Sequence, residues 1–227
     1  MVGRLTMHNQ NSAAELFERI KKKAPAYLDL LTSETDEEFE AAFTAILERA
    51  VHHLEKNKKN FQSLDEEGLS GAVAGALSIP GLTVTQETNS NGHVDLTIEA
   101  DHCSPIRVKL GEAKIYSSPS YHIKGIGQLL GRYTTGRETP GLLINYVRKP
   151  DIKEIVGKLK TEMNKKLPEH QTGPCEDFPL KWSLLTRHKH SSGEIVSVGH
   201  IGFNLHISVP PRRESPEAPG AAVRAGR

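Results

Sequence analysis

The chain has 227 residues, a formal net charge of +1 and 25% charged residues, the balance of a globular protein with material for one sizeable core. No run approaches the roughly eighteen consecutive apolar residues of a membrane helix, and the opening MVGRLTMHNQNSAAELF lacks the apolar stretch of a secretory signal. Cys103 and Cys175 lie far apart with no CxxC spacing, which argues against a disulfide framework or zinc knuckle and for a reducing, cytoplasmic setting.

In chain order, residues 13 to about 59 read as helical. Residues 13–23 form a first stretch, Pro25 interrupts it, and residues 37–54 place Phe39, Ala42, Phe43, Ile46, Leu47 and Val51 at three-four spacing on one face. The next helix begins near Ser63, with Glu66 three residues on in a capping-box pattern, and stops at Pro80-Gly81. Strand patterns follow at 82–86, 94–100 and 106–116, the first two separated by an Asn-Ser-Asn-Gly loop. Residues 123–135 read as a helix ended by Gly136, 141–147 as a compact apolar strand, and the stretch from Pro150 to about Leu167 as a helix. Strands at 182–187 and 194–205 flank a hairpin at Ser191-Ser192-Gly193. The expected organisation is a helical extension over 1–60, a domain over 61–208, and a Pro-, Ala- and Arg-rich disordered tail over 209–227. The fold class is α/β: a mixed β-sheet flanked by helices, in the order αβββαβ over 64–147.

The chemistry concentrates on the second and third strands. If His102 to Pro105 form the loop of an antiparallel hairpin, paired residue numbers sum to 207 and Asp95 falls opposite Glu112. Side chains so paired share a face, with Cα atoms roughly 4.5–5.5 Å apart. Strand alternation puts Lys114 on that face as well. An E-x-K triplet alone is common, and a surface ion pair is its plain reading. These charges, however, interrupt a strand otherwise marked for burial by Ile106, Val108, Leu110 and Ile115, where a charge costs several kcal/mol unless paired or metal-bound. Two carboxylates so close call for a cation, and Mg²⁺ is typically held by one or two carboxylates plus phosphate oxygens and water.

The flanking helices add candidates. Glu66 stands at the end of the core-facing stripe of its helix and is able to approach the same metal, or simply to cap the helix N-terminus; Glu67 competes with it. After the strands, Lys124, Gln128 and Arg132 follow at i, i+4 and i+8 as a polar stripe able to hold phosphate. Gly125, Gly127 and Gly131 weaken that helix by about 1 kcal/mol each relative to alanine, a cost that suggests close backbone approach. His93 reads as a turn residue, and Trp182 and Tyr146 as core.

Asp95, then Glu112-Ala113-Lys114, preceded by a helix bearing an acid and followed by a Gln128-bearing helix, resembles the PD-(D/E)XK nuclease superfamily over residues 64–147. The resemblance implies Asp95, Glu112, Glu66 and the Ala113 carbonyl as ligands of Mg²⁺, with Mn²⁺ as a substitute. It implies Lys114 as catalytic lysine and Gln128 as its helper. His-Val rather than proline precedes Asp95, a departure from the pattern. The expected function is phosphodiester hydrolysis, with DNA ahead of RNA, as an endonuclease of restriction or phage-defence type. The alternative is a nuclease-fold binding or assembly subunit without cleavage. No GxxxxGK[ST] loop for ATP is present, so control is expected through homo-oligomerisation or a regulatory partner, and no membrane is expected.

Overall fold

The computed structural model describes residues 12–89, 93–138 and 140–208; the expected tail at 209–227 lies outside them, as does most of the Asn-Ser-Asn-Gly loop. Six helices run α1 (Ala13–Lys23), α2 (Pro25–Thr32), α3 (Asp36–Lys56), α4 (Glu66–Leu77), α5 (Pro119–Gln128) and α6 (Ile152–Lys166). The strands are β1 (Thr83–Asn89), β2 (His93–Ala100), β3 (Arg107–Ile115), β4 (Gly141–Val147), β5 (Glu176–Asp177), β6 (Ser183–Lys189) and β7 (Ile195–Asn204). They form one seven-stranded sheet in the order β1-β2-β3-β4-β7-β6-β5. Only the central β4 pairs in parallel, with β3 on one side and β7 on the other. Every residue of its sequence GLLINYV is buried, as a strand covered on both faces requires. Among the described residues no helix is long and apolar enough to cross a membrane.

Each face has its own core. On one, Phe39, Phe43, Ile46, Leu47 and Leu54 of α3 and Leu69, Val73 and Leu77 of α4 pack on Leu96, Ile98, Ala113, Ile144 and Ile201. Helices α2, through Leu30, and α3 of the N-terminal extension are therefore part of the sheet's main core. On the other face α5 and α6 pack through Ile126, Leu159 and Met163 onto Leu110, Leu143, Leu184 and Val198.

Local chemistry explains the boundaries. Thr35 and Glu38 form a full capping box at the start of α3. At α4 the expected Ser63 cap is replaced by Asp65, whose Oδ1 accepts from Gly68 N at 2.9 Å. A carboxylate two residues later serves an N-cap as well as serine does, and the start of the helix moves with it. The helix expected at 123–135 starts earlier, at Ser118-Pro119, because Ser118 caps Tyr121 N and proline suits the first turn. It ends in a single π turn, Leu129–Tyr133.

Strand β3 is two-faced. Its odd residues point to α3, where Arg107 Nε donates to Asp36 Oδ1 at 2.9 Å and the fully buried Lys109 Nζ lies 2.6 Å from Glu40 Oε1. Its even residues, Leu110, Glu112 and Lys114, face α5.

Candidate functional site

The hairpin register is the expected one: Ala100 pairs with Arg107, Thr97 with Leu110 and Leu96 with Gly111, each pair summing to 207. There the ladder ends, and the loop spans six residues, Asp101 to Ile106, rather than four. Asp95, one step past the last pair, answers Glu112 with its side chain instead of its backbone: Asp95 Oδ2 accepts from Ala113 N at 2.7 Å. One step further, Glu66 Oε2 accepts from Ile115 N at 2.7 Å. Where β2 stops pairing with β3, two carboxylates take the amides that strand carbonyls would have taken. The demand that buried N–H groups be satisfied thus draws Asp95 and Glu66 to the same strand end.

Glu112 and Lys114 complete the group. Glu112 is 1% exposed, and its Oε1 lies 2.5 Å from Lys114 Nζ. The ammonium also lies 3.3 Å from Glu66 Oε1 and sits over the Tyr121 ring, 5.9 Å from its centroid. Among the described residues Glu112 Oε2 is buried without a hydrogen-bond partner. Burial first, then the Asp95 and Glu66 charges, push the Glu112 carboxyl up to about 7, against the opposing pull of Lys114. Burial pulls the Lys114 ammonium down, but the hydrogen bond to Glu112 and the charges of Glu112, Glu66 and Asp95 outweigh it and hold it above the ordinary lysine value.

Asp65, Glu66, Glu67, Ser70, Gln86 and Asp95 line a cleft of about 290 Å³. Glu112 and Lys114 do not line it and connect to it through Glu66. Of the two competing acids on α4, Glu66 makes the contacts; the Glu67 carbonyl accepts from Gln86 Nε2 at 2.6 Å.

The expected stripe on α5 is not engaged. Among the described residues Lys124, Gln128 and Arg132 make no hydrogen bond or ion pair to these carboxylates. Gln128 lies seven residues after Tyr121, on the face that meets Lys114, whereas Lys124 and Arg132 are exposed. The π turn widens the helix after Gln128 and takes Arg132 off the phase that continuous α-helix would give. Two of the three glycines do mark close approach. A Cβ at Gly125 would stand 2.9 Å from Leu143 Cδ1 and 3.4 Å from Lys114 Cγ, and one at Gly127 would stand 3.0 Å from Glu169 Oε1. Gly131 has open space. Gly125→Val should therefore push α5 off the lysine stem and cost about 1–3 kcal/mol, read as a lowered urea midpoint; an unchanged midpoint would show that α5 is not seated on Lys114.

No group of three His, Cys, Asp or Glu side chains converges closely enough to hold a metal ion among the described residues; the Lys114 ammonium stands between Glu112 and Glu66. Ala113 meets Asp95 through its amide. His93 opens β2 opposite Asn89, and its side chain is outside the described residues. Tyr146 is core, edge-on to Phe203 at 5.5 Å, and Trp182 is partly buried. Sequence reasoning missed Tyr121 and the polar line beyond Lys114, Asn145 with His122. The signal was there in Asn145, a polar residue inside an apolar strand, the same anomaly that singled out Glu112. Comparison with protein-family models, curated proteins and solved structures returns no match.

Proposed function

We propose that the chain is a metal-dependent nuclease that hydrolyses phosphodiester bonds, with DNA as the substrate, at the group formed by Asp95, Glu112, Glu66 and Lys114. The observation that carries the reading is Glu112 Oε2, buried and unpartnered among the described residues, beside an ammonium shared by Glu112 and Glu66 and within the field of Asp95. A buried carboxylate oxygen left without a donor costs about 1–3 kcal/mol or more, and a divalent cation is the partner it lacks. Hard carboxylate oxygens suit Mg²⁺, with Mn²⁺ as a substitute. Asp95, Glu112 and Glu66 do not converge on one point as they stand; with the Ala113 carbonyl they would hold the ion only once drawn together around it, and when bound it would polarise the phosphoryl oxygen and acidify a water.

The chain's own residues support this chemistry. Asp95 and Glu66 are fixed in position by the Ala113 and Ile115 amides. Lys114, kept charged by its neighbours, supplies a positive donor for the developing charge on the phosphate. A cleft lined with Asp65, Glu66, Glu67 and Asp95 repels phosphate until cations offset it, so binding and metal loading are coupled.

The test is cleavage of supercoiled, linear and single-stranded DNA and of RNA, with Mg²⁺, Mn²⁺ or EDTA. Metal-dependent nicking of DNA is expected; no cleavage of any substrate in either metal would sink the proposal. One observation favours a second reading, a binding or assembly subunit: helix α1 buries none of its residues, and its Leu16 and Phe17 are 59% and 53% exposed. Under that reading nucleic-acid binding persists in EDTA with no cleavage. Under either, the exposed face of α1 fits control by a second copy or a partner protein.

A further inference from the structure

Beyond Lys114 a polar seam crosses the sheet beneath α5. Asn145 is the register partner of Lys114 on β4, and from it an unbroken chain of hydrogen bonds runs across β7 to β6 and the Glu169 carbonyl. Asn145 Oδ1 and His122 Nδ1 are 2.8 Å apart, and His122 Nε2 and His200 Nδ1 2.8 Å. His200 Nε2 and Thr186 Oγ1 are 2.7 Å apart, Thr186 Oγ1 and His188 Nε2 2.7 Å, and His188 Nδ1 and the Glu169 carbonyl 3.0 Å. His122, His188, His200, Thr186 and Asn145 are all buried.

Each of these five contacts needs one hydrogen between its heavy atoms. Three neutral imidazoles and one hydroxyl carry four. The Glu169 carbonyl only accepts, so His188 Nδ1 must carry a proton. In the neutral seam the rest follows in order: Thr186 donates to His188 Nε2, His200 Nε2 donates to Thr186, and His122 Nε2 donates to His200 Nδ1. His122 Nδ1 is then bare and requires the Asn145 amide nitrogen opposite it. With Asn145 Oδ1 in that place, as the structure has it, both ends of the seam accept and a fifth proton is needed.

We propose that the seam is a binding site for a single proton, whose uptake from solvent turns one imidazole into imidazolium and reverses the Asn145 amide beside Lys114. The proton is shared: with concerted shifts along the chain it resides on His122, His200 or His188, and a second one has no acceptor. This inference goes beyond the nuclease reading and does not depend on it.

Among the described residues few charged or titratable groups face the seam. His170 lies near His188 and opposes its protonation. The Glu169 carboxylate packs against Gly127 of α5, Lys114 and Glu112 share the sheet face from β3, and α6 contributes apolar Leu159 and Met163. Burial holds all three imidazoles below the ordinary histidine range, His122 at about 4 despite the Asn145 hydrogen bond, so the seam is neutral at neutral pH and fills in acid.

Long-range ¹H–¹⁵N spectra of the histidine side chains in the full chain test this without any activity assay. At pH 8 the expected tautomers are Nε2–H for His122 and His200 and Nδ1–H for His188; on acidification these three rings together gain one proton. Asn145→Asp fixes an acceptor at the end of the seam and should raise its proton affinity at least tenfold. A different tautomer set in the wild-type chain at pH 8, uptake of two or three protons with the fold intact, or a seam that stays neutral until the fold is lost would each overturn the proposal.

Discussion

Glu112→Gln should make the protein more stable above pH 7 and, at the same time, inactive. Burial and the neighbouring carboxylates raise the Glu112 carboxyl in the folded chain from 4.5 to about 7. Between these values the folded chain binds the proton more tightly than the unfolded chain, so stability is greatest below the unfolded value and falls as pH rises through the folded one. The loss amounts to about 3 kcal/mol and already contains the attraction to Lys114. Glutamine keeps the shape, cannot ionise, and recovers that loss, while Lys114 retains Glu66. If the proposed nuclease reading holds, cleavage should fall by about 10²–10³-fold or more, since a charged oxygen offered to the metal is gone. Urea unfolding at pH 5 and pH 8, with a nicking assay on the same samples, reads both effects. A variant less stable than wild type at pH 8 would show that Glu112 and Lys114 form an ordinary structural ion pair.

Lys114→Met is expected to have the reverse signature in stability. It leaves the buried Glu112 carboxylate, and Glu66 and Asp95 beside it, without the ammonium that lies 2.5 Å from Glu112 Oε1. Breaking a buried pair by removing one partner costs about 3–5 kcal/mol. The cost should shrink as pH falls toward about 7, because Glu112, freed of the lowering pull of Lys114, takes up a proton at a higher pH than it does in the wild type. Mg²⁺ should now stabilise the variant more than the wild type, because no ammonium competes for the carboxylates; an ion at a hundred times its dissociation constant contributes about 2.7 kcal/mol. Thermal unfolding of both proteins with and without Mg²⁺ decides it. Equal Mg²⁺ responses in wild type and variant would mean that the ion does not bind where the ammonium stands, and would remove Asp95, Glu112 and Glu66 as its ligands.

The two variants separate two origins of the same cluster. A carboxylate that destabilises the fold and is retained for chemistry gives opposite stability changes in Glu112→Gln and Lys114→Met. A structural ion pair gives losses in both. The buried seam at Asn145 is a further polar investment under the same helix. It places His122 of α5 over the strand that adjoins Lys114, so the helix covering Lys114 is held by directional bonds as well as by Ile126 and Leu129.

Local pattern determined a good part of this protein. The α/β class, the run of β4 at 141–147, and the β2–β3 register follow from side-chain alternation and turn chemistry, which act over a few residues. Alternation alone placed Glu112 and Lys114 on one face. Helix ends were less legible: Ser63 and Asp65 both suit an N-cap, and which of them serves depends on how α4 meets the sheet. The π turn, too, has no local signature, and it is what carries Arg132 off the phase of Lys124 and Gln128.

What the tertiary structure alone decided is why the acids of the opening pattern meet. Asp95 and Glu112 were expected to face each other as a ladder pair; instead the ladder ends at Leu96 and Gly111, and the amides of Ala113 and Ile115 recruit Asp95 and Glu66. Glu66 reaches the site from 48 residues before Lys114, a separation at which no sequence spacing carries information. His122, Asn145, His200, Thr186 and His188 come from four elements and appear singly in the sequence as polar residues among apolar ones. A pattern along the chain specifies which face a side chain takes; which partners wait on that face is set by the packing of elements that the pattern does not connect.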